Sequence, residues 1–259
     1  MFMKFNFTTI GLALVWVGFG CGCASLTLPS IGKIHRWQMN AERGDARAQY
    51  KMGTFYSNGQ GVETNYSEAA KWFRKSAEKN NALAQCSLGI AYSRGLGVET
   101  NQAEAVNWFR KSAENGNAEA QYYLGAAYAR GDSVERDYAA AVKWYRLSAE
   151  QGYARAEYGL GVAYAEGRGV DKDDAGAVRW FKQSAEQGDP EAQYDLGACY
   201  VLGIGGEKNL QTAYGWLLVA KNRGMDKASL KLASLKKELS LAQLESAITW
   251  AKKWKPKLK

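Results

Sequence analysis

The sequence has little of the chemistry that most active sites use. Among its 259 residues there is one histidine, His35, which excludes histidine-based catalytic triads and histidine-rich metal sites. Proline is also scarce, with three residues. This favours helices, whereas 28 glycines argue against long uninterrupted ones. The 46% of hydrophobic and 23% of charged residues are typical of a folded globular chain.

Charge is absent from the N-terminal segment. No charged residue lies between Phe5 and Leu28, and Lys4 precedes this apolar stretch. The layout predicts a signal peptide over residues 1–23. Its end resembles a bacterial lipobox, in which a cysteine after a small residue is lipidated, and Cys23 fits this pattern better than Cys21.

Two alternatives to a lipoprotein stay open for this segment. One is simple secretion, and the other is an uncleaved anchor, because roughly 20 apolar residues can span a bilayer. Lys33 and Arg36 would then lie on the far side from Lys4, so the positive-inside rule does not favour an anchor. We expect an exported chain that is membrane-anchored and faces the periplasm, or is secreted.

Positive charge is concentrated at the C-terminal end. The formal net charge is +8, and residues 221–259 alone carry 11 Lys and Arg against 3 Asp and Glu. Residues 225–259 lie beyond the repeats described below and are predicted to form basic capping helices. A mixture of tryptophan and lysine near the end suits an anionic membrane or cell-wall polymer, or is an ordinary cap with solvated lysines. This tail consists of Trp250, Lys252, Lys253, Trp254 and Lys255. Nucleic acid is not expected as a partner, because the chain has an export signal.

A repeat of 36 residues dominates the rest of the chain. Four residue types recur at this step in five units: Ala48, Ala84, Ala120, Ala156, Ala192; Gly53, Gly89, Gly125, Gly161, Gly197; Tyr56, Tyr92, Tyr128, Tyr164, Tyr200; and Trp72, Trp108, Trp144, Trp180, Trp216. The units are 45–80, 81–116, 117–152, 153–188 and 189–224. Residues 24–44 are predicted to form a linker and half a unit. Such regular spacing indicates a solenoid.

Each unit is predicted to form two helices. N-cap residue types begin both helices, except at Tyr153, and glycine or asparagine ends them. On the first helix, positions 48, 49, 52, 53 and 56 share one arc. A glycine retained in this arc at a cost of about 1 kcal/mol relative to alanine indicates close packing of a neighbouring helix.

The repeated pattern resembles the Sel-1-like repeat, a relative of the tetratricopeptide repeat. The full motif stands in Ala118–Val134 and Ala141–Gly152, and the resemblance covers residues 45–224. It implies an all-α fold, a right-handed α/α superhelical solenoid of five 36-residue helix-turn-helix repeats with a C-terminal helical cap. It also implies a protein-interaction adaptor with no cofactor and no named partner. Some extracellular relatives have paired cysteines in each unit, and a few have been linked to β-lactam binding.

The remaining reactive residues do not assemble into a recognisable active site. Cys86 and Cys199 lie three units apart, roughly 30 Å if helix layers are about 10 Å apart. This is too far for a disulfide, and buried thiols are expected. Ser76 and Lys79 match a Ser-x-x-Lys motif, but the serine belongs to the repeat and the lysine does not. No EF-hand spacing surrounds Asp171, Asp173 and Asp174.

Function is therefore expected at positions that do not repeat. On the first helix, positions 47, 51, 54 and 58 form a stripe opposite the packing arc. In tetratricopeptide-like stacks this stripe lines the concave wall. The predicted partner-binding residues are Arg47, Lys51, Leu83, Ser87, Ile90, Arg94, Glu119, Tyr123, Arg130, Arg155, Glu166, Glu191 and Asp195. Leu83, Ile90 and Tyr123 are the expected apolar anchors for an extended peptide or a helix. The alternative is a plain solvated face.

The sequence thus predicts a monomeric, non-enzymatic scaffold of the bacterial cell envelope that binds a peptide or protein on this stripe. One alternative is a cell-wall or β-lactam-related hydrolase of the cysteine-rich Sel-1-like type. The other is an envelope-surface binder that acts through the basic tail.

Overall fold

The computed structural model describes residues 28–257, which form thirteen helices and no strand. The helices are α1 Leu28–Glu42, α2 Ala46–Asn58, α3 Tyr66–Ala77, α4 Ala82–Arg94, α5 Gln102–Glu114, α6 Ala118–Arg130, α7 Tyr138–Glu150, α8 Ala154–Glu166, α9 Asp174–Gln187, α10 Pro190–Leu202, α11 Leu210–Asn222, α12 Ala228–Glu238 and α13 Leu241–Lys253. The predicted signal peptide, Cys21 and Cys23 lie outside the described residues. Within the described part, none of the helices has the length and apolarity needed to cross a membrane.

Helices α2–α11 form five consecutive pairs, one per unit. We call α2, α4, α6, α8 and α10 the first helices, and α3, α5, α7, α9 and α11 the second helices. Within each pair the two helices pack together, and the second helix of each of the first four units also packs against the first helix of the next. The predicted solenoid is confirmed: each unit buries its apolar faces against its neighbours.

Side-chain caps define where the repeated helices begin. In nine of these ten helices an asparagine or aspartate at the N-cap accepts a hydrogen bond from a backbone N–H of the first turn, as predicted. The exception is α8, where Tyr153 makes no such bond. Every first helix ends at a glycine in the left-handed conformation, such as Gly95 with φ +69°, because other residues rarely adopt it.

The glycine inside each first helix makes room for a ring of the second helix of its own unit. A Cβ built on Gly53 would lie 2.4 Å from the Phe73 ring, and one on Gly161 would lie 2.5 Å from the Phe181 ring. These distances are far below van der Waals contact. The same arrangement recurs at Gly89 with Phe109 and at Gly125 with Tyr145. Close packing thus offsets the poor helix propensity of glycine, as the sequence predicted.

Buried serines join the first and second helices of the same unit in the first four units. The hydroxyls of Ser76, Ser112, Ser148 and Ser184 donate hydrogen bonds to backbone carbonyls 30 residues earlier at 2.6–2.7 Å. All four serines are fully buried. The repeated serine therefore satisfies a carbonyl at the start of a helix, where it has a structural role.

Helices flank the stack at both ends. At the N-terminal end α1 packs against α2, and Gln49 donates to the Ala41 carbonyl at 3.1 Å, as Gln85 donates to the Ala77 carbonyl of the first unit. At the C-terminal end α12 and α13 cover α11, and a capping box between Ser240 and Gln243 starts α13. Both ends of the repeated core are thus shielded from water.

Candidate functional site

The non-repeating stripe of the first helices forms a continuous surface. We call it the first-helix face and define it by positions 47, 51, 54 and 58 and their equivalents in the other units. Its exposed members include Arg47, Leu83, Arg94, Arg130, Arg155, Glu166 and Glu191. Beside it, α6 and the residue that precedes α8 are in contact, since the rings of Tyr122 and Tyr153 lie 5.5 Å apart. These side chains are positioned by rigid, capped helices.

Several predicted partner-binding residues already have intramolecular contacts. Tyr123 stacks on Phe109 with ring centroids 4.8 Å apart, and Ile90 packs against the buried apolar cluster to which Phe109 belongs. Of the three expected apolar anchors, only Leu83 is largely exposed, at 50%. Ile90 and Tyr123 are half-buried, so their first role is to hold adjacent units together.

Two acidic residues of the face are bonded to the preceding unit. Glu119 lies 3.8 Å from the thiol of Cys86, which donates to it, and Asp195 accepts a 2.9 Å hydrogen bond from the Tyr158 hydroxyl. Burial raises the pKa of Asp195, whereas the bond from Tyr158 and the charge of Lys227 oppose the rise. These contacts hold both carboxylates in place at unit boundaries.

Charge changes sign along the first-helix face. The first two units contribute Arg47, Lys51 and Arg94, and the fifth contributes Glu191 and Asp195. In the third and fourth units acidic and basic residues balance. Lys227, which directly precedes α12, and Lys231 within it partly offset the acidic end; they lie 4.0 and 5.8 Å from the Tyr194 ring centroid. A charged partner segment would therefore be oriented along the stack.

An open pocket lies between the third and fourth units. We call it the 3–4 pocket; its volume is about 250 Å³. Its apolar lining comes mainly from α7 and α8, and its charged lining comprises three arginines and one glutamate. The lining residues used below are Tyr122, Val142, Tyr145, Gly159, Val162, Arg130, Arg155, Glu166 and Arg168.

A single repeat position explains why this pocket is open. The ring of Tyr123, in the third unit, covers Phe109 of the second unit. The equivalent residue of the fourth unit is Gly159, which lies opposite Tyr145 of the third unit. Ser87 is the equivalent residue of the second unit, and there a similar cavity of about 250 Å³ opens above Phe73. We call it the 1–2 pocket; no charged side chain lines it. Small residues at this position thus leave the space that a tyrosine fills.

The arginines around the 3–4 pocket differ in their partners. Arg130 pairs with Asp132 at 2.6 Å, and Arg168 pairs with Glu166 at 3.0 Å. Among the described residues, no carboxylate lies within ion-pairing distance of Arg155. Burial raises the pKa of the Tyr122 hydroxyl, and the positive charges of Arg155 and Arg130 oppose this rise.

Sequence reasoning missed the aromatic part of this site. Tyr122, Tyr145 and Tyr158 line the 3–4 pocket, yet their positions in the repeat indicate packing or no particular role. Two signals pointed here. Tyr153 alone breaks the column of N-cap residues, and in the structure it packs on Tyr122. The first helix α8 has two glycines, Gly159 and Gly161, whereas each of the other four first helices has one.

The expected reactive groups are buried or bonded. Cys86 and Cys199 are unpaired and buried, and burial raises the pKa of Cys199 to about 11, which disfavours a thiolate nucleophile. Ser76 donates to the Ala46 carbonyl and Lys79 to the Gly44 carbonyl, so this Ser-x-x-Lys motif is part of the packing. In the described range no group of three or more His, Cys, Asp or Glu could hold a metal ion.

The tryptophans of the C-terminal tail pack on the last unit. Trp250 and Trp254 lie edge-on to Trp216, with ring centroids 5.0 and 5.9 Å away. Beyond them, Lys257 binds Glu186 through both its backbone N–H and its ammonium group. Lys252, Lys253 and Lys255 remain exposed. The rings therefore have a packing role that the sequence did not predict, and surface binding through the tail stays a prediction.

A sequence model of the Sel1 repeat matches residues 46–81, 82–117, 118–153, 154–189 and 190–225. The chain is a Sel1 repeat protein. The matched segments begin one residue after the predicted units, and they cover all five helix pairs. Proteins with this repeat are generally scaffolds for protein–protein interaction, and the fold is typically non-catalytic.

Two solved structures support this assignment. A Sel1 repeat protein from Oxalobacter formigenes is 32% identical, with a TM-score of 0.72 over 90% of this chain and 97% of that one. The protective antigen c5321 of uropathogenic Escherichia coli is 34% identical, with a TM-score of 0.73 over 84% of this chain. This Sel1 repeat protein spans 47% of the length of c5321. The search of curated proteins found no significant match.

Proposed function

We propose that this Sel1 repeat protein is a non-catalytic, monomeric scaffold that binds a peptide or protein segment on its first-helix face. One observation carries the proposal. The residues that repeat are used for packing, capping and buried hydrogen bonds, whereas the first-helix face varies from unit to unit and contains an apolar pocket with charged lining. An apolar centre surrounded by polar groups is the usual organisation of a protein-binding surface.

A hydrolase is not favoured by any feature of the described residues. The buried hydroxyl of Ser76 donates a hydrogen bond to the Ala46 carbonyl, and the thiols of Cys86 and Cys199 are buried and form no disulfide. A nucleophile needs access to substrate as well as a base, and these three groups are buried.

Site-specific photocrosslinking tests the location of the binding face. A photoreactive residue replaces Leu83, which is 50% exposed on α4, or Leu147, which is 37% exposed on the second helix α7. In cells that produce the full chain, we expect a defined adduct from position 83 and none from position 147. Equal adducts from both positions, or an adduct from 147 alone, would contradict the proposal.

We further propose that the protein acts in the cell envelope, exported by residues 1–23 and anchored by a lipid on Cys23 or Cys21. The support is the uncharged segment between Phe5 and Leu28 and the small residues before each cysteine. Metabolic labelling with a radioactive fatty acid tests this: label is expected on the wild type and should be lost when the modified cysteine is changed to alanine. Full labelling of the Cys21→Ala, Cys23→Ala double variant would refute it.

A further inference from the structure

We propose that the 3–4 pocket binds a large apolar side chain, leucine or aromatic, in an acidic segment of the partner. This inference rests on the proposed function and names the chemistry of the partner. It follows from the size of the pocket, its apolar lining and the charges around it.

The size and lining of the pocket fit a side chain. Its volume of about 250 Å³ is below the roughly 300–1,000 Å³ of typical small-molecule sites. Val142 and Val162 provide aliphatic surface, and Tyr145 lies opposite Gly159. The Tyr123 ring on Phe109 shows, one unit earlier, how a ring fills the equivalent space. A side chain supplied by a partner would bury the same kind of surface.

The charges around the pocket favour acidic neighbours for that side chain. Arg130, Arg155 and Arg168 oppose a single lining carboxylate, Glu166. Arg168 is already paired with Glu166 and Arg130 with Asp132. Arg155 has no such partner among the described side chains, so a carboxylate of the bound segment can pair with it without breaking an existing ion pair. A lysine or arginine at this point would instead meet the like charge of Arg155.

The 1–2 pocket provides a matched comparison within the same chain. It occupies the equivalent place and has a similar volume, but Ser87, Asn58 and Leu96 stand where the 3–4 pocket has Gly159, Arg130 and Arg168. Because no charged side chain lines it, it gives an acidic segment no ion pair. Filling it should therefore weaken binding of such a segment less than filling the 3–4 pocket does.

Selection from a random peptide display library on the full chain tests the inference. Enriched peptides should share a leucine or aromatic residue flanked by Asp or Glu. Their affinities are then measured by fluorescence anisotropy for the wild type, Gly159→Tyr, which copies Tyr123, Ser87→Tyr in the 1–2 pocket, and the control Leu147→Tyr on the second helix α7. We expect Gly159→Tyr to weaken binding at least about tenfold, the loss typical of a central contact, Ser87→Tyr to weaken it less, and Leu147→Tyr to leave it unchanged. Circular dichroism confirms that each variant is folded.

A charge reversal gives a second, independent measurement. Arg155→Glu leaves the apolar pocket open, so it should weaken the acidic peptide and strengthen a version in which Asp and Glu are replaced by Lys. Peptides that depend on Ser87 but not on Gly159 or Arg155 would overturn this inference and leave the proposed function standing. A library that yields no peptide sensitive to any change on the first-helix face would overturn both.

Discussion

Replacing Gly161 with alanine should destabilise the solenoid, although alanine is the better helix former. Gly161 lies within α8, and its added Cβ would stand 2.5 Å from two carbons of the Phe181 ring. The ring is 4% exposed and packs against Tyr158 with centroids 5.7 Å apart. It cannot move without displacing other buried groups, so the two helices must separate.

The size of the effect follows from two opposing contributions. Alanine stabilises a helix by about 1 kcal/mol relative to glycine, whereas overpacking a core typically costs about 1–3 kcal/mol. The expected net loss for Gly161→Ala is therefore about 1 kcal/mol. For a chain of this size such a loss lowers the melting temperature by about 2–4 °C.

A second substitution separates the two contributions. Phe181→Ala removes the ring entirely, whereas leucine would not relieve the contact, since a Cβ on the equivalent Gly197 would lie 2.8 Å from Leu217 Cγ. In the Phe181→Ala background the clash of alanine at 161 should disappear, and the gain in helix propensity should remain. Gly161→Ala should thus change from destabilising to stabilising, with a coupling of about 2 kcal/mol.

Thermal and urea unfolding followed by circular dichroism measure these four proteins. Gly206→Ala is the control, because nothing lies within 4 Å of a Cβ at that position; it should change stability by less than about 0.5 kcal/mol. A higher melting temperature for Gly161→Ala in the wild-type background, or an equal effect in both backgrounds, would refute the packing argument.

Three further predictions concern buried bonds and the cap. Ser148→Ala leaves the Ala118 carbonyl without its 2.6 Å hydrogen bond and should cost about 1–3 kcal/mol in urea unfolding; an unchanged midpoint would contradict this. Burial raises the pKa of Asp195, so the native state holds the proton of this carboxyl group more tightly than the unfolded state does. The free energy of unfolding therefore falls as the pH rises from the usual aspartate pKa of about 3.9. Asp195→Asn should therefore gain most over the wild type at pH 7, with the gain shrinking towards pH 4; a pH-independent difference would count against it. Trp254→Ala should speed hydrogen exchange in α13 and cost about 1–3 kcal/mol, less than for a fully buried tryptophan; unaltered exchange would show that the tail does not stabilise the cap.

Much of the fold follows from local signals that the sequence displays openly. An asparagine or aspartate before nine of the ten repeat helices and a glycine at the end of every first helix fix these boundaries, because the orphan N–H groups need an acceptor and the left-handed turn favours a residue without Cβ. The retained glycines at positions such as Gly161 predicted close helix packing for a similar reason. Only a closely packed neighbouring side chain explains why all five units have glycine at this position and none has alanine.

The candidate site was only partly predictable. The stripe of the first helices was identified from its lack of repetition, and the exposed Leu83, Arg94 and Arg155 are found on it. Half-burial of Ile90 and Tyr123 was not predicted, because helical spacing gives the direction of a side chain and not the neighbour that covers it. The packing of Trp254 on Trp216 also joins residues far apart in sequence.

The sequence by itself determined the helices, their ends, their number per unit and the stacking, because each is set by contacts within a unit or between adjacent units. Only the tertiary structure decided which places along the stack are open. Whether a small residue such as Gly159 leaves a pocket depends on the ring opposite it and on the unit that follows. Whether Arg155 lacks a partner depends on every acidic side chain within reach, and both are properties of the assembled stack.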